Sequence, residues 1–192
     1  DIKELTAFRK QKLGFPKNPR KAGMYDFVVV GGGVAGICAA VSAARLGMKV
    51  ALINDRPVLG GNNSSEIRVH LGGKIGVEPY TQLGNMIKEF GPERMGNAKP
   101  KEYYEDEKKE QFVKAEENVT LFSCFRAIKV IMKGNKIRKV IAKHIENGEE
   151  VEFESPLFSD CTGDGTIGYL AGADFLMGRE CKDDYKEPSA PD

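Results

Sequence analysis

The stretch FVVVGGGVAGICAAVSAARLG, residues 27–47, decides the fold. It begins with four apolar residues, 27–30, a run typical of a strand that is buried on both faces. After the glycines, the small residues of 34–46 predict a helix that ends at Gly47 as its C-terminal cap. Residues 49–53 predict a second strand. Strand, helix and strand within about thirty residues predict a βαβ unit.

Three glycines at the junction of the first strand and the helix follow the pattern Gly31-x-Gly33-x-x-Gly36. The first permits a tight turn, the second lets the backbone approach a pyrophosphate, and the third lets the helix pack against the strand. The helix that begins here directs unpaired N–H groups, at Val34 and Ala35, and its positive end towards phosphates. The βαβ context favours a bound dinucleotide, and the alternative is a glycine turn that binds nothing.

The end of the second strand departs from the usual dinucleotide pattern. An acidic residue about twenty positions after the glycines normally binds the ribose. Here Asn54 has that position, and Asp55 and Arg56 follow it. Asn54 can form a hydrogen bond with a ribose hydroxyl but carries no charge, and Asp55 can substitute from one position later. Arg56 could meet a 2′-phosphate, which keeps NADP open, although a solvated turn is the preferred interpretation of Arg56.

The second half of the chain predicts an antiparallel meander. Strand-like runs at residues 126–133, 136–146 and 149–154 are separated by Gly134-Asn135 and Asn147-Gly148. Both dipeptides supply the positive φ angles that two-residue hairpins require. Other elements are predicted as helices at residues 81–90, 104–118 and 166–171, and as strands at residues 119–122 and before the glycine turn of 159–165. Thr81 is the predicted N-cap of the first of these helices.

Composition excludes several classes of protein. A chain of 192 residues forms one domain or little more, and its 41% hydrophobic content excludes wholesale disorder. The net charge of +1 gives no excess of basic residues that would indicate binding to nucleic acid or an anionic membrane. Residues 27–44 lack charge, but glycines interrupt them, so no membrane span is predicted. Four cysteines without a CxxC pair favour reduced thiols and no metal site.

Three motifs occur in a fixed order: VVVGGGVAG at 28–36, LGGNNSSE at 59–66 and DCTGDG at 160–165. As a set they resemble the FAD-dependent oxidoreductases with a glutathione-reductase-type FAD-binding fold, and most closely the bacterial branch that carries DxTGDG after the meander. The resemblance covers residues 25–180. It implies an α/β fold of the Rossmann-like FAD/NAD(P)-binding type, in which a parallel sheet carries an inserted three-stranded antiparallel meander.

The resemblance also implies FAD as the cofactor and assigns roles to residues. The first motif would hold the pyrophosphate, the turn at 60–62 would lie by the ribityl and phosphate portion, and the turn at 162–163 would close over the cofactor. Backbone near Ala127 would contact the adenine. The predicted cofactor-binding residues are Gly31, Gly33, Val34, Ala35, Gly36, Asn54, Asp55, Arg56, Gly60, Gly61, Asn62, Ala127, Thr162, Gly163 and Asp164.

Candidates to face the flavin ring come from the segment after Gly61 and are Asn63, Ser64, Ser65, Glu66, Arg68 and His70, of which the last three are the candidate catalytic residues. Because Glu66, Arg68 and His70 alternate, a strand would place all three on one face, where they could bind a carboxylate and accept a proton. A salt-linked surface strand with a satisfied histidine is the favoured competing interpretation. The predicted function is the FAD-binding part of an oxidoreductase that transfers hydride or electrons between a small organic substrate and an acceptor. An NAD(P)-dependent enzyme and a non-catalytic Rossmann-like module stay open as alternatives.

The expected organisation is a basic lead-in segment at residues 1–23, an FAD-binding domain at 24–180 and a polar tail at 181–192. Family members continue beyond the DxTGDG helix to a last FAD-binding strand and helix, so the resemblance implies an N-terminal fragment. We expect a small-molecule partner, no nucleic acid and a soluble protein, either cytoplasmic or exported with a removed leader. Oligomeric state is left open.

Overall fold

Two four-stranded sheets organise the chain, of which the computed structural model describes residues 1–191. The strands are β1 (Arg20–Met24), β2 (Phe27–Val30), β3 (Val50–Asn54), β4 (Val119–Ser123), β5 (Phe125–Lys133), β6 (Lys136–His144), β7 (Glu150–Glu154) and β8 (Leu157–Asp160). The helices are α1 (Ile2–Lys12), α2 (Val34–Arg45), α3 (Asn85–Phe90), α4 (Asp106–Lys114), α5 (Thr166–Leu170) and α6 (Lys182–Tyr185), with a 3₁₀ turn at Lys101–Tyr103.

The first sheet is entirely parallel, in the order β4-β3-β2-β8, and it confirms the predicted βαβ unit. All five residues of β3 and the last three of β2 are buried, as expected for strands covered on both faces. Helix α2 covers one face, where Ile37 and Val41 pack with Val29 and Leu52. The parallel sheet and its helix therefore form the two layers that carry the glycine turn.

The second sheet covers the opposite face of the first, in the order β1-β7-β6-β5. Strands β5, β6 and β7 pair antiparallel, which confirms the predicted meander. Val30 and Ile53 of the parallel sheet share a core with Phe125, Val140 and Phe153 of the meander. The result is three layers, and the carboxyl ends of β2 and β3 emerge beside the first residues of β5.

The amino-terminal segment contains more regular structure than the expected lead-in segment. Strand β1 adds to the meander by pairing in parallel with β7, although its residues fall at the boundary of the expected lead-in segment. Helix α1 has a capping box at Asp1 and no buried residue. The division into segments stays a prediction. Within residues 1–191, no helix is long and apolar enough to cross a membrane.

Two predicted helices are shorter than expected, and backbone conformation explains where each of them begins. Helix α3 begins after Gly84, which has a φ of 84°, so the prediction of Thr81 as N-cap is wrong. Helix α4 cannot extend back to Tyr104, because Glu105 has a left-handed φ of 46°. A residue in this conformation interrupts the hydrogen-bond ladder of a right-handed helix. Strand β4 lies where a strand was predicted.

Candidate cofactor site

A cleft of about 680 Å³ opens at the carboxyl ends of β2, β3 and β8. This edge of a parallel sheet is where open α/β folds bind their ligands, and the volume lies in the usual range for such sites. All of the predicted cofactor-binding residues except Gly36 line the cleft. The fold therefore brings together predicted residues from five separate segments of the chain.

The glycines of the first motif serve two different purposes. Gly31 has a φ of 108°, and a Cβ there would lie 2.1 Å from the carbonyl oxygen of Cys161. A Cβ on Gly36 would lie 1.8 Å from the carbonyl oxygen of Gly31. These two glycines are thus required for packing. By contrast, a Cβ on Gly33 would meet only the Cα of Gly61, at 3.9 Å, so Gly33 keeps space in the cleft free.

Helix α2 points its amino-terminal end at this free space. Its N-cap is Gly33, and no side chain caps the helix. The first turn of any helix leaves backbone N–H groups without intrahelical partners, and the helix dipole adds positive potential there. Gly60 N donates to Gly32 O at 2.8 Å, which holds the second glycine pair beside the first. The arrangement fits a diphosphate, which needs N–H donors and close approach by backbone.

The side chain of Asn54 stabilises the glycine turn by hydrogen bonding. It is buried, and its Oδ1 accepts a hydrogen bond from Gly32 N at 3.2 Å. Its Nδ2 donates to the carbonyl oxygens of Arg56 and Val58, each at 2.9 Å. Both amide hydrogens are therefore used within the protein. Asn54 could donate to a ribose hydroxyl only if one of these bonds broke, whereas the carboxylate of Asp55 can accept a hydrogen bond from such a hydroxyl.

Charged residues form a network at the rim of the cleft near the end of β3. The guanidinium of Arg56 lies 3.5 Å from Glu66 Oε2 and 4.0 Å from Asp55 Oδ1. Arg126 Nη2 lies 3.4 Å from Asp55 Oδ2. A 2′-phosphate at Arg56 would meet these two carboxylates, and like charges at this distance repel. The network disfavours the NADP alternative.

The prediction that Glu66, Arg68 and His70 share one face of a strand is wrong. Residues 64–70 form turns and irregular chain, and Arg68 has a left-handed φ of 64°. Arg68 Nε donates to Ser65 O at 2.9 Å, and the residue does not line the cleft. Glu66 and His70 do line it. A strand needs φ near −120°, so the conformation of Arg68 removes the alternation on which the prediction depended.

A buried ion pair supports the segment that follows Gly61, and sequence reasoning missed it. The side chain of Lys109 is completely buried, and its Nζ lies 3.7 Å from Asp106 Oδ1 and donates to Tyr104 O. Both carboxylate oxygens of Asp106 accept from Ser65 N at 3.2 Å. Burial lowers the pKa of Lys109. The available signal was spacing, because Lys109 lies four residues before the buried Val113 on the same face of α4.

Asp160 shapes the turn on the other side of the cleft. Its Oδ1 accepts from the backbone N–H and the hydroxyl of Thr162, and its Oδ2 accepts from Ile167 N at 2.6 Å and Gly168 N at 3.0 Å. Burial acts to raise the pKa of Asp160, but these hydrogen bonds outweigh it and hold the pKa below its ordinary value. Asp160, which sequence reasoning did not single out, therefore orders the turn, whereas Asp164 is exposed at the cleft.

Comparisons with known proteins agree with this geometry. A family model described as FAD dependent oxidoreductase matches residues 26–192. Soluble pyridine nucleotide transhydrogenase from Ectopseudomonas mendocina is 55% identical over 38 residues, which are 20% of this chain and 8% of that protein. The stretch that matches thus spans a small part of that relative's length.

Solved structures share the fold at low identity. THI4 of Thermovibrio ammonificans superposes with a TM-score of 0.58 at 19% identity, over 93% of this chain and 71% of that one. FrdA of E. coli quinol fumarate reductase superposes with a TM-score of 0.56 at 13% identity, over 74% of this chain and 33% of that one. The topology of a parallel sheet with a meander on one face is therefore one that other α/β proteins use.

Proposed function

The chain belongs to the FAD dependent oxidoreductase family, and from that premise we propose that the cleft at the amino-terminal end of α2 holds FAD. We also propose that the whole enzyme transfers hydride or electrons between a small organic substrate and an acceptor. When bound, FAD supplies the redox chemistry, and the protein supplies binding and orientation. The observation that carries the proposal is the open part of the cleft beside Gly33, where a Cβ would meet nothing closer than the Cα of Gly61 at 3.9 Å.

Phosphate groups fit this part of the cleft because hydrogen bonding and the helix dipole would both stabilise them there. Backbone N–H groups at the start of α2 can donate to phosphate oxygens, and the dipole of the twelve-residue helix stabilises negative charge. Gly60 and Gly61 let the opposite wall approach without a side chain. No carboxylate belongs to the glycine pairs themselves, so nothing there repels an anion.

The adenosine and ribityl portions would use the two ends of the cleft. Asp55 is the acidic group nearest the end of β3, where ribose hydroxyls are bound in dinucleotide folds, and Ala127 lies beside it on the meander. Asn63 also lines the cleft, and its Oδ1 is buried without a hydrogen-bond partner among residues 1–191. A buried acceptor of this kind is costly unless a ligand donates to it, and a ribityl hydroxyl would do so.

Titration with nucleotides tests the proposal directly. Purified protein, freed of any flavin by dialysis against chaotropic salt and refolded, is mixed with FAD while flavin fluorescence and visible absorbance are followed. We expect saturable binding at one FAD per chain, with no competition from NADP at the same concentration. Binding of NADP in preference to FAD, or no change in either signal, would contradict the proposal that the cleft binds FAD.

A further inference from the structure

The ring of His70 is held in one tautomer by Asn97. The backbone N–H of His70 donates to Asn97 Oδ1 at 2.9 Å, and His70 Nδ1 lies 2.8 Å from the same atom. A backbone N–H can only donate, so the atom of Asn97 that faces it must be the amide oxygen. That oxygen can only accept, and Nδ1 must therefore carry a hydrogen. In the neutral ring, the lone pair is left on Nε2.

The Nε2 atom of His70 is open. Within residues 1–191 it has no hydrogen-bond partner, and the half-buried ring belongs to a residue that lines the cleft. Gly72 adjoins it, and a Cβ at that position would lie 3.5 Å from Nε2. Glycine thus leaves room for a further group beside this nitrogen. Glu66 also lines the cleft, but its carboxylate is paired with Arg56.

A buried tyrosine holds Asn97 where it can act on His70. The hydroxyl of Tyr104, whose side chain is almost completely buried, lies 2.7 Å from Arg68 O and 3.0 Å from Gly96 O. Ala98 N also donates to Arg68 O, at 2.8 Å. Two hydrogen-bonded links therefore tie the chain on both sides of Asn97 to the segment that carries His70. Support of this kind fixes the orientation of a functional side chain.

The second histidine of the chain provides a contrast. His144 Nδ1 accepts from the backbone N–H groups of Glu146 and Asn147, at 3.3 and 3.4 Å. Its lone pair is therefore on Nδ1 and its hydrogen on Nε2, the reverse of His70. The ring packs edge-on against Phe125, and His144 does not line the cleft. Its role is structural.

We infer that His70 is the proton acceptor of the reaction and that Asn97 is the positioning residue that keeps Nε2 unprotonated; this rests on the proposed function. The substrate class is one with a C–H bond next to an O–H or N–H group. Oxidation breaks both bonds and forms a C=O or C=N bond. Bound FAD would supply the acceptor of the hydride, and the proton goes to Nε2, so that the imidazole becomes an imidazolium that still donates to Asn97.

The first test measures the tautomers. Long-range ¹H–¹⁵N spectra of protein labelled at histidine are recorded at about pH 9, where ordinary imidazoles are neutral. His70→Gln and His144→Gln variants assign the two rings, because the chain contains only two histidines. We expect the hydrogen on Nδ1 in His70 and on Nε2 in His144. Asn97→Asp keeps an oxygen acceptor and retains the His70 pattern, whereas Asn97→Ala loses it. A hydrogen on Nε2 of His70 in the unaltered protein overturns the inference.

The second test asks whether Nε2 faces the bound cofactor. Diethyl pyrocarbonate acylates imidazole nitrogens that carry a lone pair, and mass spectrometry follows each histidine separately. We expect FAD to slow acylation of His70 about tenfold, since bound ligands cover most of the walls of their cleft. The rate at His144 should not change. Equal rates at His70 with and without FAD overturn its role. Failure to take up FAD overturns the proposed function as well, whereas FAD uptake with a protonated Nε2 overturns the role of His70 alone.

Discussion

The two turns that border the cleft are held in shape by opposite means. The turn at residues 31–36 depends on missing side chains, because Gly31 and Gly36 approach backbone atoms too closely for a Cβ. The turn at residues 160–165 depends on one added side chain, the carboxylate of Asp160, which accepts four hydrogen bonds. Packing is insensitive to pH, whereas a carboxylate is not. The two turns should therefore fail under different conditions.

The largest effect is expected from Gly36→Ala in the first turn. Alanine normally stabilises a helix relative to glycine by about 1 kcal/mol. Here the Cβ would collide with Gly31 O, so we expect a net loss of about 3 kcal/mol in the free energy of unfolding, measured with urea. Gly168→Ala in α5 is the matched control, since its Cβ would meet Ala173 only at 4.0 Å. Equal stability of the two variants would contradict the packing role of Gly36.

Gly33→Asp should separate binding from folding in the same turn. The φ of −69° suits any residue, and aspartate is a favourable N-cap, so the melting temperature without ligand should stay the same or rise. The carboxylate would occupy the phosphate position, and we expect FAD affinity to fall about 100-fold, which is about 2.7 kcal/mol. Gly33→Asn adds similar volume without charge and should lose less. Unchanged FAD affinity in Gly33→Asp would place the phosphates elsewhere.

Asp160→Ala should loosen the second turn. The variant leaves the N–H groups of Thr162, Ile167 and Gly168 without their acceptor, and the loss of such a cap costs about 1–2 kcal/mol of unfolding free energy. The exposed Asp164 is the control, because Asp164→Ala removes a carboxylate from the same turn and should change stability by less than about 0.5 kcal/mol. Urea denaturation at neutral pH measures both. A larger loss of unfolding free energy in Asp164→Ala than in Asp160→Ala would contradict the conclusion that Asp160 orders the turn.

The smallest effect is the pH dependence of that second turn. Because the folded pKa of Asp160 lies below its ordinary value of 3.8, its contribution is fully present above pH 3.8 and is lost as the pH falls through the folded pKa. The difference in stability between the unaltered protein and Asp160→Ala should therefore shrink on acidification. The deficit of Gly36→Ala should persist. Parallel urea curves at neutral and acidic pH distinguish the two behaviours.

Local patterns predicted the elements whose residues interact mainly with chain neighbours or with a whole buried layer. The apolar runs of β2 and β3, the helix between them and the two hairpins of the meander lie close to the predicted positions. All of the residues predicted to bind the cofactor except Gly36 line the cleft, since most of them belong to turns with a recognisable spacing. By contrast, α3, α4 and the segment at 66–70 were misjudged, because single residues in left-handed conformations, such as Gly84, Glu105 and Arg68, interrupt them.

The sequence by itself determined the layered α/β fold and the place of the glycine turn, because glycine spacing and apolar runs act over a few residues, and its three motifs carried the family resemblance. Only the tertiary structure decided how polar side chains are used. Asn54 accepts a hydrogen bond from the backbone of Gly32, Lys109 is buried beneath a loop, and Asn97 sets the tautomer of His70. The roles of Asn54 and Asn97 depend on partners 22 and 27 residues away in the chain, and hydrogen bonds act at about 3 Å, a separation that no local pattern encodes.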